Sequence, residues 1–121
     1  MGVLQYRLEP DDRLVLTGAN SSAESILGVE LGPETGRTIE EVFPALASTS
    51  IPGRYRELCG GADPWRTERV DYEDERIRGA YEVHAFGTGP GTMAVLFLDI
   101  TERKRIEEAL RESEENYREI F

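Results

Sequence analysis

A single cysteine, Cys59, leaves no partner for a disulfide within the chain, and a lone thiol is compatible with a cytoplasmic setting. The only histidine, His84, has no companion at metal-ligand spacing, which removes a histidine-based metal centre. No apolar run approaches the roughly 18 residues of a membrane span. Met1 to Tyr6 has neither the charged start nor the long apolar stretch of a signal peptide. Basic residues are also in short supply: Lys and Arg total 14 against 24 Asp and Glu, a net charge of −10. Phosphate backbones and anionic lipid surfaces are repelled by such a balance, so no nucleic acid and no direct membrane contact is expected, and the expected location is cytoplasmic.

The last quarter of the chain lacks glycine and proline altogether. From Glu102 to Phe121 the sequence is dominated by Glu, Arg, Leu and Ala, which favours a long helix. Ile106, Leu110, Ser113, Tyr117 and Ile120 recur at spacings of 4, 3, 4 and 3, the seam of a two-stranded coiled coil. Two readings stay open: a helix that pairs with a partner helix, and one docked on its own domain. Either Asp99 or Thr101 can cap its start, and Asp99 with Glu102 fits a capping box.

Upstream, Val3 to Leu8 and Arg13 to Thr17 alternate like strands around the Pro10-Asp11-Asp12 turn. Asn20 to Ser22 offers cap chemistry for a short helix ending at Gly28, with Ile26 and Leu27 facing the sheet. Thr38 to Phe43 reads as a helical turn with a Thr38/Glu41 capping box, and Pro52 to Leu58 as a helix ended by Gly60-Gly61. Trp65 to Tyr72, Arg78 to Phe86 and Thr92 to Leu98 complete the strands. The predicted fold class is α+β, a five-stranded antiparallel sheet with short helices on one face and a C-terminal helix. Met93 to Leu98 is apolar on both parities, so both faces of this strand are expected to be covered. Leu96 and Leu98 are then candidates for a dimer contact, or for cover by the N-terminal segment.

No catalytic constellation is visible, and an enzyme is not expected. Asp71, Glu73, Asp74 and Glu75 cluster at a turn, where carboxylates are solvated. Gly87-Thr88-Gly89-Pro90-Gly91 precedes a strand rather than a helix, and Pro90 lacks the amide that a phosphate cradle needs. Cys59 reads as a small apolar filler.

The run Asp99-Ile100-Thr101-Glu102-Arg103-Lys104-Arg105 and the helix after it resemble the exit of a PAS domain in a bacterial signal-transduction protein such as a sensor histidine kinase. Tyr6 to Asn20, Ile26-Leu27-Gly28, Gly36 to Pro44 and Tyr81 to Phe86 resemble further PAS landmarks in the usual order. The resemblance implies a PAS domain over residues 1–100 and, over 101–121, a linker helix leading to a downstream signalling module in the same protein. Tyr117 to Phe121 resembles the lead-in to another such domain, which implies a segment cut from a longer protein.

A small-molecule pocket is implied as well, with Ile39, Phe43, Tyr55, Tyr72, Glu82, His84, Val95 and Phe97 as its expected lining and Asp99 and Thr101 as the relay to the helix. Glu82 and His84 share a face with Phe97 only if the last hairpin has an even number of loop residues, which the sequence leaves open. The function expected is ligand sensing relayed through the C-terminal helix. The alternative is a ligand-free, dimerising spacer, and a homodimer is expected in either case. The cofactor is not identified. Photoactive flavin is disfavoured because Gly36 to Val42 lacks the reactive Cys of photochemical flavin PAS domains, and haem because Pro52 to Leu58 lacks an axial His.

Overall fold

The computed structural model describes the backbone of residues 1–120 and the side chains through Arg111; Ser113, Tyr117 and Ile120 of the expected seam lie outside the described side chains. The elements are β1 (Gly2–Leu8), β2 (Leu14–Ala19), α1 (Ser21–Leu27), α2 (Ile39–Val42), α3 (Ile51–Cys59), β3 (Trp65–Glu73), β4 (Arg78–Gly89), β5 (Thr92–Asp99) and α4 (Thr101–Ile120). Single 3₁₀ turns at Gly32–Glu34 and Pro44–Leu46 flank α2. The strands form one antiparallel sheet in the order β2-β1-β5-β4-β3, the α+β arrangement expected.

Local chemistry explains the short helices. Asn20 Oδ1 accepts from the Ala23 amide at 2.8 Å and from the Val3 amide at 3.0 Å, so one side chain caps α1 and pins it to β1. Gly28 ends α1 in the left-handed conformation at φ 71°. Thr38 and Glu41 form the reciprocal capping box of α2, which turns Ile39 and Val42 into the core. A helix this short owes its stability to that cap and to the burial of those two residues more than to propensity.

The inner face of the sheet packs under α1, α2 and α3. Leu4, Tyr6, Leu14, Leu16, Val83, Ala85, Met93, Val95 and Phe97 are all buried there. Ile26 and Leu27 are only half buried, and Ala23 is the α1 residue that is fully enclosed. On the other face of β5, Ala94 is buried, Leu96 is half buried and Leu98 stays 39% exposed. Within the chain, the second face of β5 is therefore covered at Ala94 and open at Leu98. The N-terminal strand pairs edge to edge with β5, Val3 opposite Leu96, and so lies beside that face rather than over it.

The last hairpin decides which β4 side chains enter the core. Its turn is Pro90-Gly91, two residues and therefore even, with Gly89 opposite Thr92. A bulge at Thr88 then adds one unpaired residue to β4, so that Gly87 pairs with Met93, His84 with Leu96 and Val83 with Phe97. One extra residue exchanges the two faces of the strand from there on. Glu82 and His84 consequently sit on the outer face, which corrects their expected place beside Phe97.

Candidate functional site

Between the inner face and the helices lies an apolar cavity of about 70 Å³. Its floor is Leu4 and Tyr6 of β1, Val95 and Phe97 of β5, Tyr81 and Val83 of β4, and Val70 and Tyr72 of β3. Its roof is Leu27 of α1, Phe43 and Leu46 around the second 3₁₀ turn, and Ile51 and Tyr55 of α3. Aromatic rings fix the walls: Tyr6 lies 6.0 Å from Tyr55, while Phe43 meets Tyr72 edge-on at 5.8 Å and Tyr81 meets Phe97 edge-on at 5.9 Å.

Of the residues expected in the pocket, Phe43, Tyr55, Tyr72, Val95 and Phe97 line this cavity. Ile39 is fully buried but does not line it; the α2 cap aims that side chain into the neighbouring core. Glu82 and His84 are on the opposite side of the sheet, where His84 is exposed and Glu82 pairs with Arg66 at 3.2 Å and Arg103 at 3.9 Å. Sequence reasoning missed the other eight, Leu4, Tyr6, Leu27, Leu46, Ile51, Val70, Tyr81 and Val83. For the two from β4 the signal was present, because Tyr81, Val83 and Ala85 are the uniformly apolar parity of β4, and that parity belongs on the core side.

No charged side chain lines the cavity. Burial raises the hydroxyl pKa of Tyr6 well above the usual tyrosine value and pushes up that of Tyr55 as well, so both stay neutral. Tyr72 is raised first by burial and then by its hydrogen bond to Asp74. Burial would also raise Asp74, but bonds from the Tyr72 hydroxyl and then from the Arg76 and Ile77 amides outweigh it and hold the carboxyl below its ordinary range. The site is thus an uncharged cavity lined by neutral tyrosines. Cys59, buried at the end of α3 with its thiol pKa raised by burial, is not among the lining residues.

The root of α4 is built beside this cavity. Asp99 Oδ1 accepts from the Thr101 amide at 2.8 Å and from its hydroxyl at 2.6 Å. Thr101 Oγ1 in turn accepts from the Ala80 amide at 3.0 Å, and the Ile100 amide donates to the Ala80 carbonyl at 2.8 Å. Asp99 thus engages Thr101, rather than closing the expected box with Glu102. Lys104 reaches Asp71 at 3.2 Å, and Glu108 lies 4.0 Å from Arg69, so the first turns of α4 follow the outer side of β3 and β4. Ile106 and Leu110 each fall two positions past a sheet-facing residue, about 200° round the helix. They remain 61% and 59% exposed.

Among the described residues no cluster of three or more His, Cys, Asp or Glu is placed to hold a metal ion, and no helix is long and apolar enough to cross a membrane.

No protein-family model and no curated protein sequence matches the chain. Solved structures do. An RNA-binding light-oxygen-voltage receptor superposes with a TM-score of 0.63 at 20% identity, over 97% of this chain and 34% of that one. A fungal LOV-domain photoreceptor gives 0.56 at 11% identity, over 81% of this chain and 73% of that one. A domain of an HTR-like protein from Haloarcula marismortui gives 0.59 at 13% identity, over 83% of this chain and 97% of that one. This chain spans about a third of the length of the RNA-binding receptor. Its five-stranded antiparallel sheet with short helices has the PAS fold.

These similarities correct the expectation about cofactors. Two of the matching structures are light-oxygen-voltage proteins, so the argument that disfavoured a photoactive flavin does not stand. A missing Cys bears on adduct chemistry at one helix and not on the seating of a ring in the cavity. The cavity's volume is that of a few water-sized groups, so a tricyclic ring enters only if wall side chains move.

Proposed function

We propose that this domain senses a small molecule in the apolar cavity and relays its presence through Asp99, Thr101 and α4 to a signalling module further along the protein. One observation carries the reading: Val95 and Phe97 form cavity wall on the same strand that ends in Asp99, so a single residue, Leu98, separates wall from relay. A ligand meets no charge there, so the part it buries is uncharged; an ion would lose its hydration without a partner. The absence of charged groups from the lining also supports a regulatory role over a catalytic one. By the same resemblance, an output kinase, a two-component system and a cytoplasmic location are the context we favour.

The partner proposed is a second copy of the chain. Ile106 and Leu110 turn away from their own domain, and they begin the spacing that continues at Ser113, Tyr117 and Ile120 in the sequence. A ligand-free, dimerising spacer is the second reading, favoured by the small volume left between the rings.

Native mass spectrometry of the purified chain, repeated after denaturation and paired with a visible absorption spectrum, separates the two. A non-covalent small molecule that is retained natively and released on denaturation is the expected result, and the spectrum reports a flavin or other chromophore directly. A dimer of bare chain mass, with no added mass at any stage, would instead favour the spacer.

A further inference from the structure

Tyr81 touches both the cavity and the root of α4. Its ring lines the cavity and packs edge-on against Phe97 at 5.9 Å and 86°. Its backbone lies opposite Asp99 in the β4/β5 ladder. The residue before it, Ala80, holds the start of α4 with both backbone groups, donating to Thr101 Oγ1 and accepting from the Ile100 amide.

The hydroxyl end of Tyr81 reaches the same place. A Cβ added to Gly79 would fall 2.5 Å from Tyr81 Oη and 3.1 Å from Thr101 Oγ1. Both oxygens crowd one point, and the missing side chain of Gly79 makes the space that they share. Burial raises the Tyr81 hydroxyl pKa, and the charges of Asp99 and Asp74 raise it further, so the side chain stays neutral beside those carboxylates. Val83, by contrast, lines the cavity from the same strand but lies a further pair along the ladder from this anchor.

We propose that Tyr81 is a positioning residue that carries the packing state of the cavity to the root of α4. The inference rests on reading the cavity as the ligand site. A molecule entering against Phe97 displaces the edge-on Tyr81 ring, whose hydroxyl shares the space beside Gly79 with Thr101 Oγ1.

Benzene is the probe, because an apolar cavity of about 150 Å³ admits it and in this smaller one it enters only by moving the wall side chains. Backbone amide NMR spectra are recorded with and without it for the wild type, Tyr81→Leu and Tyr81→Phe. In the wild type, resonances of Val95 and Phe97 and those of Ala80, Ile100 and Lys104 are expected to move together. In Tyr81→Leu the first set moves and the second does not, and Tyr81→Phe, which keeps the ring but not the hydroxyl beside Thr101 Oγ1, restores the second set in part. If Ala80, Ile100 and Lys104 respond equally in Tyr81→Leu, or fail to respond in the wild type while Val95 and Phe97 do, the proposal is overturned.

If benzene leaves Val95 and Phe97 unmoved, the ligand-site reading fails, and Tyr81 is then judged without a probe. Amide exchange at Ile100 and Lys104 should be roughly tenfold faster in Tyr81→Leu than in Val83→Ala, which controls for general loss of packing. Equal rates in the two variants would overturn the proposal. Should Tyr81→Leu not fold, Tyr81→Met, which also removes the ring, replaces it.

Discussion

The amide of Ala80 donates to the hydroxyl of Thr101 at 3.0 Å, and through that bond the first residue of α4 is fastened to β4. Asp99 orients the same hydroxyl from the other side by accepting its proton at 2.6 Å. Thr101→Val removes both bonds and leaves the buried Ala80 amide unpaired, at an expected cost of about 1 to 2 kcal/mol. Asp99→Ala removes the acceptor of both the Thr101 hydroxyl and the Thr101 amide, at about 1 kcal/mol. Urea unfolding of the isolated chain measures both. Signal-dependent output of an intact parent protein should suffer far more than stability does. Unchanged output with Asp99→Ala would remove this residue from the relay.

His84 and Val83 are neighbours in sequence with opposite expected consequences. His84 is exposed on the outer face, so His84→Ala should change stability by no more than about 0.5 kcal/mol. Val83 is buried beside Phe97, and Val83→Ala should cost about 2 kcal/mol. Thermal or urea unfolding of the two variants tests the register. Reversed magnitudes would return His84 to the cavity side.

Asp74 sets an acid limb of stability. Its folded-state pKa lies below the ordinary value of 3.8, so the unfolded chain binds the proton more readily. The contribution is present above that value and fades as the pH falls through the folded value. Between about pH 4 and pH 2 the wild type should therefore lose more stability than Asp74→Asn, which has no charge to protonate. Parallel pH profiles for the two would show that the hydrogen bonds from Tyr72, Arg76 and Ile77 do not favour the charged form.

The exposed side of α4 gives a test of the proposed partner. Ile106→Glu with Leu110→Glu places like charges on facing helices of a dimer, while altering no contact within the domain. Sedimentation velocity should show a dimer for the wild type and a monomer for the double variant, with little change in unfolding midpoint. A dimer that survives both substitutions places the interface elsewhere, the outer face around Leu98 being the next candidate.

Much of this arrangement is legible in the residues themselves. The Thr38/Glu41 capping box, the Asn20 cap, Gly28 as helix end and the Pro10-Asp11-Asp12 turn are local devices, and local chemistry suffices to read them. So does the handover from β5 to α4 at Asp99. The orientation of β4 was obscured by a single residue: Thr88 lies in a run of glycines, and nothing in that run shows whether it pairs or bulges. The alternation of Tyr81, Val83 and Ala85 against Glu82, His84 and Phe86 was the better guide, because register follows the buried parity. Tyr81 was hidden for a different reason. Its importance lies in contacts with Phe97, Gly79 and the Thr101 anchor, separated from it in part by a whole strand and turn.

The central claim is that the packing of the cavity governs the root of α4, and Val95→Phe tests it most directly. The larger ring fills the cavity from a wall position on the strand that leads to Asp99. Amide hydrogen exchange at Ile100 and Lys104, whose protons are held by the Ala80 and Ile100 carbonyls, reports the root. A change of roughly tenfold at these two sites, with exchange between β1 and β2 unaltered, is the expected result. Exchange at Ile100 and Lys104 identical to wild type in a folded Val95→Phe protein would contradict the claim.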